Sequence, residues 1–471
     1  MEAFQQLDFF TGFLLVLCIL IACGFEFVNG FHDTANAVAT VIYTHSLKPG
    51  VAVMWSGICN FVGVFSGGIA VAMGIVNLLP VESLIDQNVY HSIGMVLAML
   101  LTAVLWNLGT WWFGIPCSSS HTLIASIIGV GVAYSLLPGS GGAAVDWSKA
   151  SEVGLSLLLS PVCGFGLTVI LMFLLKTFVP NEKLFKQPEG KTPPPWWIRG
   201  ILILTCTGVS FSHGSNDGQK GVGLVMLILI GILPTYYALD DTKDPSDLKN
   251  HFEIVSQHLR KIDQTKLSYY DSLKVSNINS EVQKLASIFS SKENFEKIVD
   301  KDRFEVRKNI LIISKETDKL LKDEDFISLT MEDKQTLLEE IKELRKHTDY
   351  APDWVVLMIS LSLGIGTMVG WKRIVVTIGE KIGKEHLTYS QGACAEMAAA
   401  STIAFSTFIM KLPVSTTQVL SSGIAGSMVA NKGMTNLQPS TLKSIAIAWI
   451  LTFPVCVVTS GTLFLFFRWL F

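Results

Sequence analysis

Two stretches of this chain carry an aspartate into sequence that is otherwise apolar enough for a bilayer. They read Asn29-Gly30-Phe31-His32-Asp33-Thr34-Ala35-Asn36-Ala37 and Ser212-His213-Gly214-Ser215-Asn216-Asp217-Gly218-Gln219-Lys220. A carboxylate at membrane depth is expensive, so an intramembrane aspartate marks function and needs a partner. The Gly and amide residues around each one predict a local unwinding of the helix that exposes backbone carbonyls. The same device at corresponding places in two halves is the sequence mark of a transporter built from repeats, with its site at the midplane.

The rest of the sequence fits that constraint. Half of the residues are hydrophobic, 16% are charged and the mean hydropathy is +0.46, which is the composition of a polytopic membrane protein. Apolar segments near 9–45, 51–79, 91–113, 117–137 and 153–178 are followed by others near 197–235, 353–371, 388–410, 414–430 and 443–468. Most of these reach the roughly 20 residues that a crossing needs. The charges are segregated: residues 240–350 hold 24 of the 39 Asp+Glu and 20 of the 36 Lys+Arg. That block reads as one solvated insert in a membrane body.

Met1–Asp8 contain no Lys or Arg, so no cleaved signal peptide is expected, and Leu20-Ile21-Ala22-Cys23 is a chance likeness to a lipoprotein site. The eight cysteines lie in or beside apolar segments without C-x-x-C spacing, as small packing residues rather than a zinc site or disulfide framework.

A second repeat is longer. Gly114-Ile115-Pro116-Cys117-Ser118-Ser119-Ser120-His121-Thr122-Leu123 matches Lys411-Leu412-Pro413-Val414-Ser415-Thr416-Thr417-Gln418-Val419-Leu420, 297 residues on, and the match continues from Gly129 to Gly426. The aspartate pair is 184 residues apart, so the second half holds a net insertion of 113 residues, close to the 111 of the charged block. The expected organisation is a first membrane repeat over 1–180, a linker over 181–196 stiffened by Pro193-Pro194-Pro195, the start of a second repeat over 197–239, the insert over 240–350, and the remainder of the second repeat over 351–471. Lys48, then Lys183, Lys186, Lys191 and Arg199, then Lys372, Arg373, Lys381 and Lys384 mark cytoplasmic connections. Each half then crosses an odd number of times, so the repeats are inverted, with both termini and the insert outside. The insert reads as a helical cap: Leu337, Leu338, Ile341 and Leu344 recur at helix spacing after a Thr330-x-x-Asp333 capping box, and helical pattern runs through Phe295–Leu321.

The Pro-x-Ser-Ser-Ser-His and Pro-x-Ser-Thr-Thr-Gln segments begin helices inside the membrane, since proline favours helix starts and Ser or Thr caps orphan amides. A helix N-terminus with hydroxyls and a positive dipole end cradles an anion. Two such ends, with Ser118, Ser119, Ser120 and His121 on one and Ser415, Thr416 and Thr417 on the other, could grip one tetrahedral oxyanion. Simple capping or helix packing is the bland reading of the same residues. Asp33 and Asn36 lie one turn apart and suit a hard cation or a proton. In the second half Asp217 has Lys220 where Asn36 stands, so an ammonium takes the place of a cation. His32, His213 and His121 could relay protons, since a free imidazole titrates near neutrality, with Asn216 and the further carboxylate Glu26 nearby. Gly63/Gly67 and Gly366/Gly370 read as helix-packing surfaces.

With Gly30–Thr40, Trp106-Asn107-Leu108-Gly109-Thr110-Trp111, Pro116–Leu123, Phe211–Gly221 and Pro413–Ser422, the chain resembles the inorganic phosphate transporter (PiT) family, nearest its PitA-type branch. The resemblance covers both membrane halves. It implies inward transport of orthophosphate, coupled to protons in that branch and to sodium in others. It also implies carriage of neutral divalent metal–phosphate complexes, a homodimer, and residence in a bacterial inner membrane. Two departures stand out. Sodium-using members carry Asp-x-x-Asn in both halves, whereas the second here is Asp217-Gly218-Gln219-Lys220. Gln418 stands where the first half has His121.

The expectation is an all-α polytopic membrane protein of two inverted repeats with broken or re-entrant helices and a soluble helical insert. It would be a proton-coupled secondary transporter of phosphate, with neither fixed metal site nor cofactor and no nucleic-acid partner. Asp33, Asn36, Asp217, Lys220, His32, His213 and Asn216 would handle the proton, or sodium as the alternative. The rivals are a sulfate permease of the same family, an ion channel, and an intramembrane hydrolase using Ser120 and His121. Adjacent helical side chains diverge, which argues against that last pair as nucleophile and base.

Overall fold

The computed structural model describes residues 7–79, 88–138, 145–179, 181–188, 192–262, 267–290, 300–322 and 329–471, without the side chains of 34–36, 245–246, 289–290, 300–301 and 322. Two compact units are present. One contains Leu229–Tyr350, the other Asp8–Ile228 together with Ala351–Phe471.

The larger unit is helical throughout its described length, apart from one isolated bridge between Gly383 and Leu437. Helix α1, Phe9–Tyr43, starts where the Asp8 carboxylate accepts the amides of Phe10 at 3.0 Å and Thr11 at 3.1 Å. It is followed by α2 (Pro49–Ser66), α3 (Ala70–Val76), α4 (Val89–Trp112), α5 (Ser119–Ser135), α6 (Trp147–Phe178), a turn of helix α7 (Glu182–Phe185) in the linker, and α8 (Trp196–Ile232). Among the described residues six helices are long and apolar enough to cross a membrane, including α1, α2, α4, α6 and the last helix of the chain.

The predicted unwinding around the aspartates does not occur. α1 runs unbroken through Asp33 for 35 residues, and α8 runs unbroken through Asp217 for 37. A single helical glycine costs only about 1 kcal/mol, so Gly30 and Gly214 need not break a helix that packing holds. Their lack of a Cβ serves close approach instead. A Cβ on Gly30 would lie 2.5 Å from the Leu363 carbonyl oxygen, and one on Gly214 would strike the Asn60 backbone. These two positions are 184 residues apart, so the aspartate repeat is also a packing repeat.

The smaller unit is an independent helical body. α9 (Pro234–Tyr237), α10 (Pro245–Arg260), α11 (Tyr269–Ser290), α12 (Asp300–Lys322) and α13 (Met331–Arg345) pack around Val255, Val275, Ile278, Val306, Ile313 and Leu337. As expected, Thr330 caps α13 by accepting the Asp333 amide at 3.1 Å, and Leu337, Ile341 and Leu344 face inward while Leu338 is exposed. Residues 295–299 of the expected Phe295–Leu321 helix lie outside the described residues; α12 accounts for the rest. The ends of the unit are tied together: the Asp240 amide donates to the His347 carbonyl at 2.9 Å. Buried Arg307 donates to the carbonyls of Ala238 at 3.0 Å and Thr348 at 2.6 Å. Burial draws that guanidinium down to about 10.

The membrane body resumes with α14 (Asp353–Thr367), bent by 54° from α15 (Lys372–Val376) and its π-helical continuation to Lys381. α16 (Tyr389–Ala404) continues as a π-helix to Met410, and α17 (Thr416–Lys432) and α18 (Pro439–Leu470) complete the chain. Of the glycine pairs, Gly63, Gly67 and Gly366 do sit against the backbones of Phe211, Ser215 and Phe27. Gly370 departs from that expectation. It has φ of +71° and turns the chain against the Phe31 ring between α14 and α15.

Two of the breaks between helices fall before the Ser/Thr segments. α5 and α17 each have 17 residues, and their caps Ser118 and Ser415 have nearly equal backbone angles (φ −94°, ψ 109° and φ −87°, ψ 94°). Four residues earlier, Gly114 at φ +66° and Lys411 at φ +57° both take the left-handed conformation that turns the chain into the helix. The 297-residue repeat in sequence is thus a repeat in backbone geometry. It holds in packing too: α5 meets α18 where Gly129 abuts Val457, and α17 meets α6 where Gly426 abuts Phe165. Small residues at such crossings let helices approach closely enough for dispersion to hold them in lipid.

Candidate functional site

The four elements that carry the two repeats converge on one buried polar centre. α1 supplies Asp33, α8 supplies Asp217, and the starts of α5 and α17 supply their hydroxyls. Ser119 Oγ donates to Asp33 Oδ2 at 2.9 Å and lies 3.4 Å from Asp217 Oδ2, so one hydroxyl bridges both carboxylates. Thr417 Oγ1 donates to Asp33 Oδ1 at 2.5 Å, and Thr416 Oγ1 lies 3.4 Å from Asp217 Oδ2. Both aspartates are essentially inaccessible.

Lys220 is the cation of this centre. Its Nζ lies 2.6 Å from Asp217 Oδ1, donates to Ser120 Oγ, and is 3.3 Å from the Val414 carbonyl. The side chain is fully buried, so it does not snorkel to an interface. Ser120 Oγ passes a bond on to the Val414 carbonyl at 2.8 Å. An ammonium donates to three acceptors, which is the coordination that would otherwise fall to a small cation.

The histidines divide by role. His32 Nδ1 is 2.9 Å from Asp33 Oδ1, and its Nε2 is 3.3 Å from Thr110 Oγ1. His213 Nδ1 is 2.8 Å from Asn60 Oδ1, which directs Nε2 between the carboxylates, 3.5 Å from Asp217 and 3.9 Å from Asp33. With Nδ1 donating to Asn60, Nε2 is the ring nitrogen that faces both aspartates. Asp33, His213 and Asp217 also present ligand atoms within 4.8 Å of one another, a spacing that could hold a metal ion. Lys220 already neutralises one of those carboxylates.

Other residues singled out by sequence are placed differently. Ser118 and Ser415 cap their helices, accepting the amides of His121 at 3.2 Å and Gln418 at 3.3 Å. His121 Nδ1 is 2.8 Å from Ser118 Oγ, not from Ser120, so the hydrolase pairing does not form. Asn216 holds the second helix break: it donates to Thr407 Oγ1 at 2.8 Å and accepts the Val414 amide at 3.1 Å. The side chain of Asn36 lies outside the described residues. Glu26 is wholly buried, accepts from Asn29 at 3.2 Å, and rests on Gly221 beside Lys220.

Sequence reasoning misses Gln219, Asn60 and Glu396. Gln219 accepts the Val71 amide at 2.7 Å and donates to the Gly67 carbonyl at 2.8 Å, closing the break between α2 and α3. Its only signal is that it is the second amide, after Asn216, in the second aspartate segment. Asn60 and Glu396 are lone polar residues within apolar runs, and scanning for such residues would have found both.

An all-helical membrane body whose half-length helices aim capped starts at a buried ionised centre has the architecture of a transporter. The chain belongs to the phosphate transporter family, whose model matches residues 29–460. It is similar to the low-affinity inorganic phosphate transporters PitB and PitA of Escherichia coli (strain K12), at 38% and 39% identity over 98% of each chain. A probable low-affinity inorganic phosphate transporter of Bacillus subtilis (strain 168) is 26% identical over 94% of this chain and 93% of its own. Among solved structures, one described as the sodium-dependent phosphate transporter shares the fold with a TM-score of 0.54 and 18% identity. It spans 97% of this chain and 100% of its own. The protein is therefore an integral membrane transporter and not an enzyme.

Proposed function

We propose that the protein imports inorganic phosphate together with protons, by alternating access of two inverted halves in a bacterial inner membrane. The observation that carries this reading is the pairing of two equivalent helix starts on two equivalent aspartates, one of which already holds a fixed ammonium. Ser119, Ser120, Thr416 and Thr417 offer hydroxyls to the oxyanion, Ser118 and Ser415 hold the helix starts, and His121 flanks them. Asp33 and His213 carry the proton, oriented by His32 and Asn60; Asp217, paired with Lys220, completes the coupling site, with Asn216 holding the second helix start and Asn36 one turn beyond Asp33. Lys220 supports proton over sodium coupling because it fills the cation position of the second half.

Inversion is supported by the way the equivalent helices α1 and α8 meet. Glu26 faces Gly221, Asp33 faces His213, and Thr40 reaches Thr205 through Glu396. Rising numbers on one helix meet falling numbers on the other, so the pair is antiparallel, as inverted counterparts must be. Phosphate is favoured over sulfate by the carboxylates. A phosphate that keeps a P–O–H can donate to Asp33 or Asp217, whereas sulfate has no proton to give and would face them as a bare dianion. Carriage of neutral divalent metal–phosphate complexes, which lowers the charge to be desolvated, and a homodimeric assembly complete the proposal on the strength of the family resemblance.

Uptake of radiolabelled phosphate into proteoliposomes tests it. An inward proton gradient alone should drive accumulation, sulfate should not compete, and a sodium gradient at equal pH should drive none. Accumulation on the sodium gradient alone would refute proton coupling.

A further inference from the structure

Two turns before Asp33, the first helix repeats its own chemistry. Glu26-x-x-Asn29 stands seven residues ahead of Asp33-x-x-Asn36, so α1 carries a carboxylate and an amide one turn apart at two levels of one face. Glu26 and Asn29 are both completely buried. Asn29 Nδ2 donates to Glu26 Oε2 at 3.2 Å, which leaves Glu26 Oε1 and Asn29 Oδ1 without a hydrogen-bond partner among the described residues. Oε1 lies at the contact between α1 and α8, where a Cβ on Gly221 would come within 2.7 Å of it.

A third unpartnered side chain belongs to the neighbouring helix. α1 and α4 run side by side in the same direction: Phe10 meets Tyr90 with ring centroids 5.8 Å apart, and Phe31 meets Trp111 at 4.9 Å. Asn107 lies one turn before Thr110 and Trp111, both of which touch α1. It therefore stands on the same face of α4, level with the turn that holds Asn29. It is completely buried, and neither its Oδ1 nor its Nδ2 has a hydrogen-bond partner among the described residues.

These groups call for a positive charge. A carboxylate at membrane depth needs a partner, yet among the described residues no cation pairs with Glu26. Lys220, one residue before Gly221, directs its ammonium to Asp217, Ser120 and the Val414 carbonyl. The other charged groups near Glu26 are Asp217 and Asp33, which share its sign. A proton on Oε1 would neutralise Glu26 and leave the Asn29 oxygen bare, whereas a water would serve both oxygens and leave the charge. A small cation does both, and carboxylate and carboxamide oxygens are the ligands that a hard ion prefers. One carboxylate calls for one positive charge, since a divalent ion would add an uncompensated charge beside Lys220.

We propose that Glu26 and Asn29, with Asn107 beside them, hold a resident sodium-sized alkali cation, two turns from the carboxylate that takes the coupled proton. The ion neutralises Glu26 where α1 meets Gly221 and acts as a structural, activating ligand. It is not the ion whose gradient drives transport, so the site goes beyond the transport reading and is tested apart from it.

Equilibrium binding of radiolabelled sodium to the purified full-length protein in detergent tests the site, with ionic strength balanced by N-methylglucamine chloride. Wild type should bind one sodium per chain, and magnesium should not displace it. Asp33→Asn should keep the bound ion. Glu26→Gln should weaken binding about a hundredfold or more, because the charge that holds the ion is gone. Asn29→Leu and Asn107→Leu should each weaken binding by a smaller factor. Sodium should raise the Tm of wild type in a saturable way and leave that of Glu26→Gln unchanged. Should Glu26→Gln not fold, wild type and Asn29→Leu decide. The site is overturned by wild type that binds no sodium, by displacement with magnesium, by loss of the ion in Asp33→Asn, or by wild-type affinity in Glu26→Gln or Asn29→Leu. In proteoliposomes, sodium at equal concentration on both sides should speed proton-driven phosphate uptake by wild type but not by Glu26→Gln. Phosphate accumulation on a sodium gradient alone refutes proton coupling, whereas the binding series decides the site whatever the coupling ion.

Discussion

Lys220 offers the sharpest test of the central cluster, because its ammonium is buried and bound on three sides. Replacing it with Met keeps the unbranched stem, one atom shorter, and removes the charge. Asp217 then keeps its weak contacts with Ser119, Thr416 and His213 but loses its 2.6 Å partner. Removing one member of a buried ion pair costs about 3–5 kcal/mol, most of it the uncompensated charge that stays behind. Asp217→Asn should cost about as much for the opposite reason, with the ammonium stranded against Ser120 and the Val414 carbonyl. The double variant strands neither charge, so its cost should fall short of the sum by about 3 kcal/mol. Detergent-solubilised protein unfolded with denaturant and followed by tryptophan fluorescence measures all three. Additive costs, with each single change under about 1 kcal/mol, would show that the two groups do not pair. A functional arm uses Lys220→Asn, which recreates the Asp-x-x-Asn of the first half. Proton-driven uptake should be lost and sodium-driven uptake should appear. Uptake and coupling like wild type would refute the assignment of Lys220 as the built-in cation.

Asp33→Asn and Asp217→Asn should each abolish concentrative uptake while folded protein still reaches the membrane, as quantitative blotting of membranes beside the uptake assay would show. Ser119→Ala with Thr417→Ala should weaken phosphate binding about ten- to a hundredfold, since each hydrogen bond to a charged group contributes about 1.5–3 kcal/mol. Equilibrium binding of labelled phosphate reads that loss, and wild-type affinity would place the anion elsewhere. Deleting residues 242–349 with a short Gly/Ser join should leave transport measurable. The Asp240 amide and the His347 carbonyl are 2.9 Å apart, so the join spans a small gap. A well-folded deletion without uptake would make the insert part of the cycle.

Much of the site is legible in sequence because its residues violate the surrounding apolar pattern. Asp33, Asp217 and Lys220 stand out for that reason, and the Ser/Thr runs stand out because proline precedes them. The repeats give the pairing: positions 184 or 297 apart turn out to share packing and backbone angles. What sequence misjudges is where the helices break. Glycine and amides around Asp33 suggest an unwound segment, but the facing backbones of Leu363 and Asn60 use those glycines for contact, and tertiary packing overrides propensity. The helix starts expected at the two Pro-x-Ser segments do occur, and left-handed Gly114 and Lys411 turn the chain into them, though no composition rule flags a lysine for that conformation. Glu396 is legible as a lone carboxylate in an apolar run, but its partners Thr40 and Thr205 are not, being 356 and 191 residues away in sequence.

The asymmetry between the halves bears on what must travel with phosphate. The formal charges of Asp33, Asp217 and Lys220 sum to −1, and all three are enclosed. A monobasic phosphate entering alone would take the cluster to −2 in a medium where each uncompensated charge is strongly penalised. One proton delivered to Asp33 or His213 returns the loaded centre to −1, the value it has without cargo. The same reasoning explains why only one half surrenders its cation position. A fixed ammonium beside Asp33 as well would raise the resting charge to zero and leave both aspartates paired with a cation. On the proton-coupled reading proposed above, the halves divide the work: Lys220 fixes a cation beside Asp217, and Asp33, which has no such cation, is the carboxylate that changes charge as cargo enters and leaves.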